Sequence, residues 1–350
     1  MRLLLVFLLA LAACRSADPP PAAPAEAEVQ RLPLAGPCAA PLAELSGLAW
    51  FGDDLVLLPQ YPGRLSAASD TLDAEGEGRR TGALCVLARA DLVAFVERRY
   101  RGVLRPRLVP FETAGVAGQA EGYEGYEAIA FRGDRVYLAI ESAKSEAMQG
   151  YLVEGTAQRT PDGRLGGVRL NAPSLVALPV QARVANLSYE TLLATPRGIV
   201  ALQEANGAAV NAVPEAYLFD AALGLRDSLG VPTLEYRLTD ATTLDAEGRF
   251  WAINYFYPGD RATLRPGPDS LAMRFGTGTT HQRQATVERL VEFRVAGDRI
   301  VRTARPPVQL RLLDGAARNW EGLARLGDLG FLLATDKHPE TILAFVAVPG

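Results

Sequence analysis

Five short segments share one pattern of apolar and polar positions: Leu45–Trp50 (LSGLAW), Tyr126–Phe131 (YEAIAF), Tyr189–Leu193 (YETLL), Ala241–Asp245 (ATTLD) and Trp320–Ala324 (WEGLA). Each leads into a turn, namely Gly52-Asp53-Asp54, Gly133-Asp134-Arg135, Pro196-Arg197-Gly198, Ala246-Glu247-Gly248 and Gly327-Asp328. Such compositions suit tight hairpins. A second apolar run follows each turn, over Leu55–Pro59, Val136–Ile140, Ile199–Gln203, Phe250–Ile253 and Phe331–Thr335. Short apolar runs bounded by turn signals predict strands. A strand pair that recurs at intervals of tens of residues predicts repeated blades, because a parallel sheet would need helices between its strands. No segment beyond the first residues carries a sustained helical period. The expected fold is therefore all-β, a single β-propeller. Uneven spacing leaves room for a hidden repeat, so six blades are expected, with five or seven as alternatives. The run Gly82–Val96 is expected to supply outer strands and a short turn of helix, and Val287–Val295 with Arg299–Leu312 another outer hairpin.

The chain begins with one cation, Arg2, and an apolar run from Leu3 to Ala13, the pattern of a secretory signal. That run is shorter than the roughly 20 residues that span a bilayer. Leu11-Ala12-Ala13-Cys14 resembles the bacterial lipobox. The resemblance implies a lipid on Cys14 after a signal peptide over 1–13; the Pro/Ala-rich composition predicts a flexible tether over 14–31, and the repeats place the propeller domain over 32–350. The lipobox resemblance implies a membrane partner through the lipid anchor, in an extracytoplasmic location. Arg15, not aspartate, follows the cysteine, so outer-membrane attachment is the expectation.

Charge changes this picture little. Lys+Arg number 36 against Asp+Glu 40, a formal net charge of -4, so no global field favours nucleic acid. A monomer is expected. Cys38 and Cys85 fall in a compartment where disulfides persist, and both a bridge and a buried free thiol at Cys85 are open readings.

Two polar positions recur in the repeats. The first opens the leading strand: Ser46, Glu127, Glu190, Thr242 and Glu321, with Glu44 and Asp240 two residues upstream where that position is not acidic. The second ends the following strand: Gln60, Glu141, Glu204, Asn254 and Asp336. Innermost propeller strands line a central channel, so these side chains are expected to converge near the axis. Unpaired buried carboxylates cost several kcal/mol each, and a cation offsets that cost. Calcium, which takes six to eight oxygen ligands, is the expected ion, with Glu127, Glu190, Glu204, Glu321 and Asn254 as ligands. The alternative is ion pairing with arginines. Zinc is disfavoured, because the chain has only two histidines, His281 and His338, and no Cys-x-x-Cys or His-Glu-x-x-His.

Asn319-Trp320-Glu321-Gly322-Leu323-Ala324, followed by Gly330-Phe331-Leu332-Leu333-Ala334-Thr335-Asp336-Lys337, resembles the closing blade of the phytase-like propeller family, named for an esterase-like activity of phytase. Glu127–Phe131 with Ala139-Ile140-Glu141, and Leu45–Ala49, are similar to its earlier blades. The likeness runs over most of 40–346 in short motifs, and implies calcium with phosphoester or ester hydrolysis. The channel acids also resemble those of lactonase-type propellers. Gln60 and Thr242 depart from the pattern by standing where acids are typical.

These observations imply a calcium-dependent hydrolase-like lipoprotein acting on an ester, lactone or phosphoester. Glu141 or Asp336 would serve as general base, and Lys337 and His338 would meet an anionic group on the substrate. Arg261, Arg265, Arg274, His281 and Arg283 lie in a long Gly/Pro-rich insertion that is expected to cover the channel mouth. The alternative is a non-catalytic lipid-anchored propeller that binds a ligand or protein partner, with calcium structural. No Gly-x-Ser-x-Gly elbow supports a covalent mechanism.

Overall fold

The computed structural model describes residues 23–144 and 147–348. Cys14 and the signal-like segment lie outside the described residues. Among the described residues, five four-stranded antiparallel units are formed. Blade 1 holds Leu45–Phe51, Asp54–Pro59, Thr81–Ala88 and Arg107–Glu112. Blade 2 holds Tyr123–Arg132, Arg135–Lys144, Tyr151–Arg159 and Leu165–Leu170. Blade 3 holds Tyr189–Thr195, Gly198–Gln203, Glu215–Phe219 and Leu225–Gly230. Blade 4 holds Arg237–Ala241, Arg249–Phe256, Val287–Ala296 and Arg299–Arg302. Blade 5 holds Trp320–Leu326, Gly330–Thr335, Leu343–Ala347 and, from the other end of the chain, Gln30–Leu32.

The first strands of neighbouring blades pack side by side around the axis, and the fifth packs against the first. The chain is a β-propeller. One apolar cluster fills each interface: Val56 and Leu84 with Leu138 between blades 1 and 2, Ala139 with Ile199 and Phe219 between 2 and 3, and Val200 with Phe250 and Phe293 between 3 and 4. Trp251 with Phe331 fills the fourth, and Leu332 with Leu55 the fifth. Burial of such side chains, at about 25 cal/mol per Å² of apolar surface, is what holds the blades together.

Of the blade counts expected, the described residues form five units, one of the alternatives to six: the long gaps hold short 3-10 turns at Pro62–Arg64 and Ala74–Gly76 and small helices at Arg261–Leu264 and Ser270–Phe275. One expectation is corrected. The tether ends earlier than residue 31: Glu26–Ala27 pairs with Gln309–Leu310, and Gln30–Leu32 completes blade 5. The outer strand Thr81–Ala88, the helix Arg89–Val96 and the hairpin of Val287–Ala296 with Arg299–Arg302 lie where the apolar runs put them. Cys38 and Cys85 form a disulfide with Cα atoms 6.1 Å apart, tying the N-terminal segment to the third strand of blade 1. Among the described residues no helix is long and apolar enough to cross a membrane.

Candidate axial site

The innermost strands carry the site because each is bulged. Leu45 faces Pro59 and Gly47 faces Leu58, which leaves Ser46 as the extra residue. The same slip isolates Glu127 between Tyr126 and Ala128, Glu190 between Tyr189 and Thr191, and Glu321 between Trp320 and Gly322. A bulge re-aims the extra side chain and ends regular pairing. In blade 4, Leu238 faces Asn254 and Ala241 faces Ala252, so the extra residue falls in Thr239-Asp240.

That register overturns the reading of blade 4. Thr239 Oγ1 donates to the Trp320 carbonyl at 2.5 Å, as Ser46 Oγ donates to that of Tyr126 at 2.5 Å, so Thr239 holds the first channel position. Thr242 instead accepts from the Trp251 N–H within the hairpin. Tyr255, paired with Arg237, takes the second channel position, and Asn254 is one residue out of step. A one-residue slip in a strand sends a side chain to the other face. Accordingly Asn254 Oδ1 accepts from Arg289 Nε at 2.8 Å, and its amide nitrogen donates to the carbonyls of Glu235 and Arg237.

Arg237 is the functional residue the sequence reading missed. Its buried guanidinium pairs with Glu204 and lies 3.4 Å from Glu190 Oε1 and 3.5 Å from Glu321 Oε1. It also donates to Asn319 Oδ1 at 3.2 Å. The available signal was the run Leu238-Thr239-Asp240-Ala241, which repeats the order of Leu45-Ser46-Gly47-Leu48 three residues upstream of the chosen alignment.

Glu127 is buried and accepts from Gln60 Nε2 at 2.8 Å. Burial raises its pKa well above the ordinary value, and the charges of Glu190 and Glu321 push the same way. Glu141 is raised by burial and then by Glu127; Glu321 is raised by burial and then by Asp336. Glu190 and Glu204 are both raised by burial, against which Arg237 acts in each. Among the described residues, their second oxygens, Glu190 Oε2 and Glu204 Oε2, accept from no donor, and neither does Glu141 Oε1. The charge of Glu204 pushes Glu190 further up, so these two carboxyls, both in contact with Arg237, resist ionising together. Deeper in the channel, Asp240 accepts from the backbone N–H groups of Leu323 at 2.7 Å, Ala241 at 2.7 Å and Leu48 at 3.3 Å, stitching blades 1, 4 and 5.

At the mouth, Glu44 sits between Arg64 Nη1 at 2.7 Å and Lys337 Nζ at 3.1 Å. Asp336 Oδ1 accepts from the His338 N–H at 2.7 Å, and His338 is exposed. His281, from the insertion, points elsewhere and bonds Glu26 Oε1 through Nδ1 at 2.9 Å.

The expected calcium donor set does not fit an ion as it stands. Asn254 is held by Arg289, Glu127 by Gln60, and Arg237 contacts Glu190, Glu204 and Glu321 where the cation was expected. Among the described residues no three Asp, Glu, His or Cys side chains are gathered to share a metal.

No protein-family profile matches the chain, and no curated relative matches it in sequence. Solved structures similar to it include a luciferin-regenerating enzyme (8% identity, 92% of this chain and 95% of that one, TM-score 0.39). A mutant α-L-arabinanase from Cellvibrio cellulosa matches at 8% identity over 87% and 92%, TM-score 0.41. A β-1,2-mannobiose phosphorylase from Listeria innocua matches at 11% over 91% and 90%, TM-score 0.43. These are propeller enzymes, at a similarity too low to assign a family or an activity.

Proposed function

We propose that the protein is a hydrolase of an ester, lactone or phosphoester, working by general acid–base catalysis in the axial site. The observation that carries this reading is the Glu190–Glu204 pair, two buried carboxyls raised above their ordinary value that contact the same Arg237 guanidinium. Two carboxyls that cannot both ionise give one acid and one base in the same place. The ionised member takes a proton from water as the water oxygen attacks the carbonyl or phosphoryl centre. The protonated member delivers its proton to the leaving oxygen as that bond breaks. Glu141, which burial and then Glu127 push up, would serve as a donor beside the pair rather than as a base. Lys337 at the mouth is the group to meet substrate anions.

In this proposal the protein is also lipid-anchored through Cys14 outside the cytoplasm, a reading that the lipobox-like Leu11–Cys14 supports. The deep burial of the acids favours a second reading, in which they only lock the blades and the protein is an anchored binding module. The full chain in detergent, assayed on carboxyl esters, lactones and phosphomonoesters with calcium or with chelator, separates these. The expected result is turnover that survives chelation and falls at least a hundredfold in Glu190→Gln and in Glu204→Gln. Turnover that needs calcium overturns the metal-free mechanism; a folded protein inactive on all three classes overturns the hydrolase reading.

A further inference from the structure

A cleft of about 770 Å³ lies away from the axis, on the rim where the outer strands of blades 3 and 4 meet. That volume is in the range of small-molecule sites. The loop Val231–Leu234, Ser270, Arg274, Phe293 and the strand Arg299–Arg302 line it. Three guanidiniums belong to this lining, and two form no ion pair among the described residues. Arg299 has Asp298 at 3.3 Å. Arg302 forms no ion pair among the described residues, and its Nη1 reaches only Ser270 Oγ at 3.4 Å. Arg274 stands four residues after Ser270 on the helix Ser270–Phe275, on the same helical face; it lies over the Phe275 ring, 4.9 Å from the centroid, and forms no ion pair among the described residues.

The carboxylate best placed to neutralise them is otherwise engaged. Asp269 holds Arg289 through two bonds of 2.8 and 3.0 Å, and caps the helix by accepting from the N–H groups of Leu271 and Ala272. Burial, then the neighbouring charges of Arg274 and Arg289, hold the Arg302 guanidinium below its usual range, the mark of a cation in surplus positive field. Ser270, Thr233 and Thr303 add hydroxyl groups to the same wall.

We propose that this cleft binds a small anionic molecule bearing phosphate or carboxylate groups, with Arg302 and Arg274 as its anchors. Charge-assisted bonds from a planar guanidinium to two oxygens are the strong interactions available there. The inference is independent of the axial chemistry, since the channel is lined by acids and the cleft by arginines.

Isothermal titration of the full chain with pyrophosphate and with citrate tests it. Saturable one-site binding is expected for at least one probe, weakened roughly tenfold or more in Arg302→Gln and abolished in Arg302→Gln/Arg274→Gln. Arg302→Lys, which keeps the charge and loses the fork, is expected to bind with intermediate affinity. Arg283→Gln, which removes one exposed charge outside the cleft, leaves affinity unchanged. No saturable binding of either probe to the wild-type chain, or an equal loss in Arg283→Gln, overturns the proposal.

Discussion

Arg237 decides the electrostatics of the axis. Glu127, Glu141, Glu190, Glu204 and Glu321 are all raised above their ordinary value of 4.5, with burial as the first cause in each. Between 4.5 and those raised values the folded chain holds more protons than the unfolded chain, so stability falls as pH rises through that window. A higher thermal midpoint is expected at about pH 5 than at about pH 8. Glu127→Gln removes one titrating group and flattens the slope. Arg237→Gln leaves buried carboxyls without their cation, a loss of about 3–5 kcal/mol at neutral pH that shrinks on acidification as protons replace the guanidinium. A wild-type midpoint that climbs from pH 5 to pH 8 contradicts this account. The glutamates themselves were legible in the sequence, because Glu127, Glu190 and Glu321 each precede a small residue at the start of a strand, and Glu141 and Glu204 each end the apolar run that follows. Their counter-ion was not. A lone arginine among 36 cationic residues carries no local mark, and only strand register turns it inward.

Register is a property of the element, and the bulges set it. At Gly125 the backbone has φ +127°, and a Cβ there would stand 2.3 Å from Gln60 Cγ, in the path of the amide that holds Glu127. Gly125→Ala is therefore expected to destabilise the chain by about 1–3 kcal/mol, through strain and displacement of Gln60. Gly133, also left-handed at φ +62° but with open space around it, gives the comparison. Denaturant midpoints for Gly133→Ala should shift less; equal shifts would mean that contact with Gln60 is immaterial. The same bulges explain what the apolar pattern revealed and what it concealed. Four strand pairs were found in register because turn chemistry and a two-residue period fix them. The fifth, Arg237–Ala241, was displaced because its bulge spans Thr239-Asp240, and the run Ala241–Asp245 mimics a strand. The extra blade was inferred from gaps that hold 3-10 turns and two short helices, elements too brief to show a period.

Closure of the ring belongs to the whole molecule. Blade 5 has three strands from the end of the chain and one, Gln30–Leu32, from its beginning, which pairs with Leu343, Ala344 and Phe345. Without that strand the Leu343–Ala347 edge is open, and Leu32, 2% exposed, no longer covers the cluster shared by blades 5 and 1. An open edge is a template for pairing with another chain. The Cys38–Cys85 bridge anchors the segment just after this strand, so it fixes where the strand enters without forming the pairing itself. A chain starting at Pro33 keeps the disulfide and loses this pairing, together with the Glu26–Ala27 pairing to Gln309–Leu310 and the Glu26 bond to His281. Its expected loss is about 3 kcal/mol, from the buried side chain and the ladder hydrogen bonds together, with self-association that grows with concentration. A chain starting at residue 23 keeps the strand and should match the full chain in both respects. Thermal melts and light scattering on the pair of truncations read this directly. If the chain starting at Pro33 melts with the full chain and stays monodisperse, the ring is held by blade packing alone, and the mixed fifth blade is not what closes it.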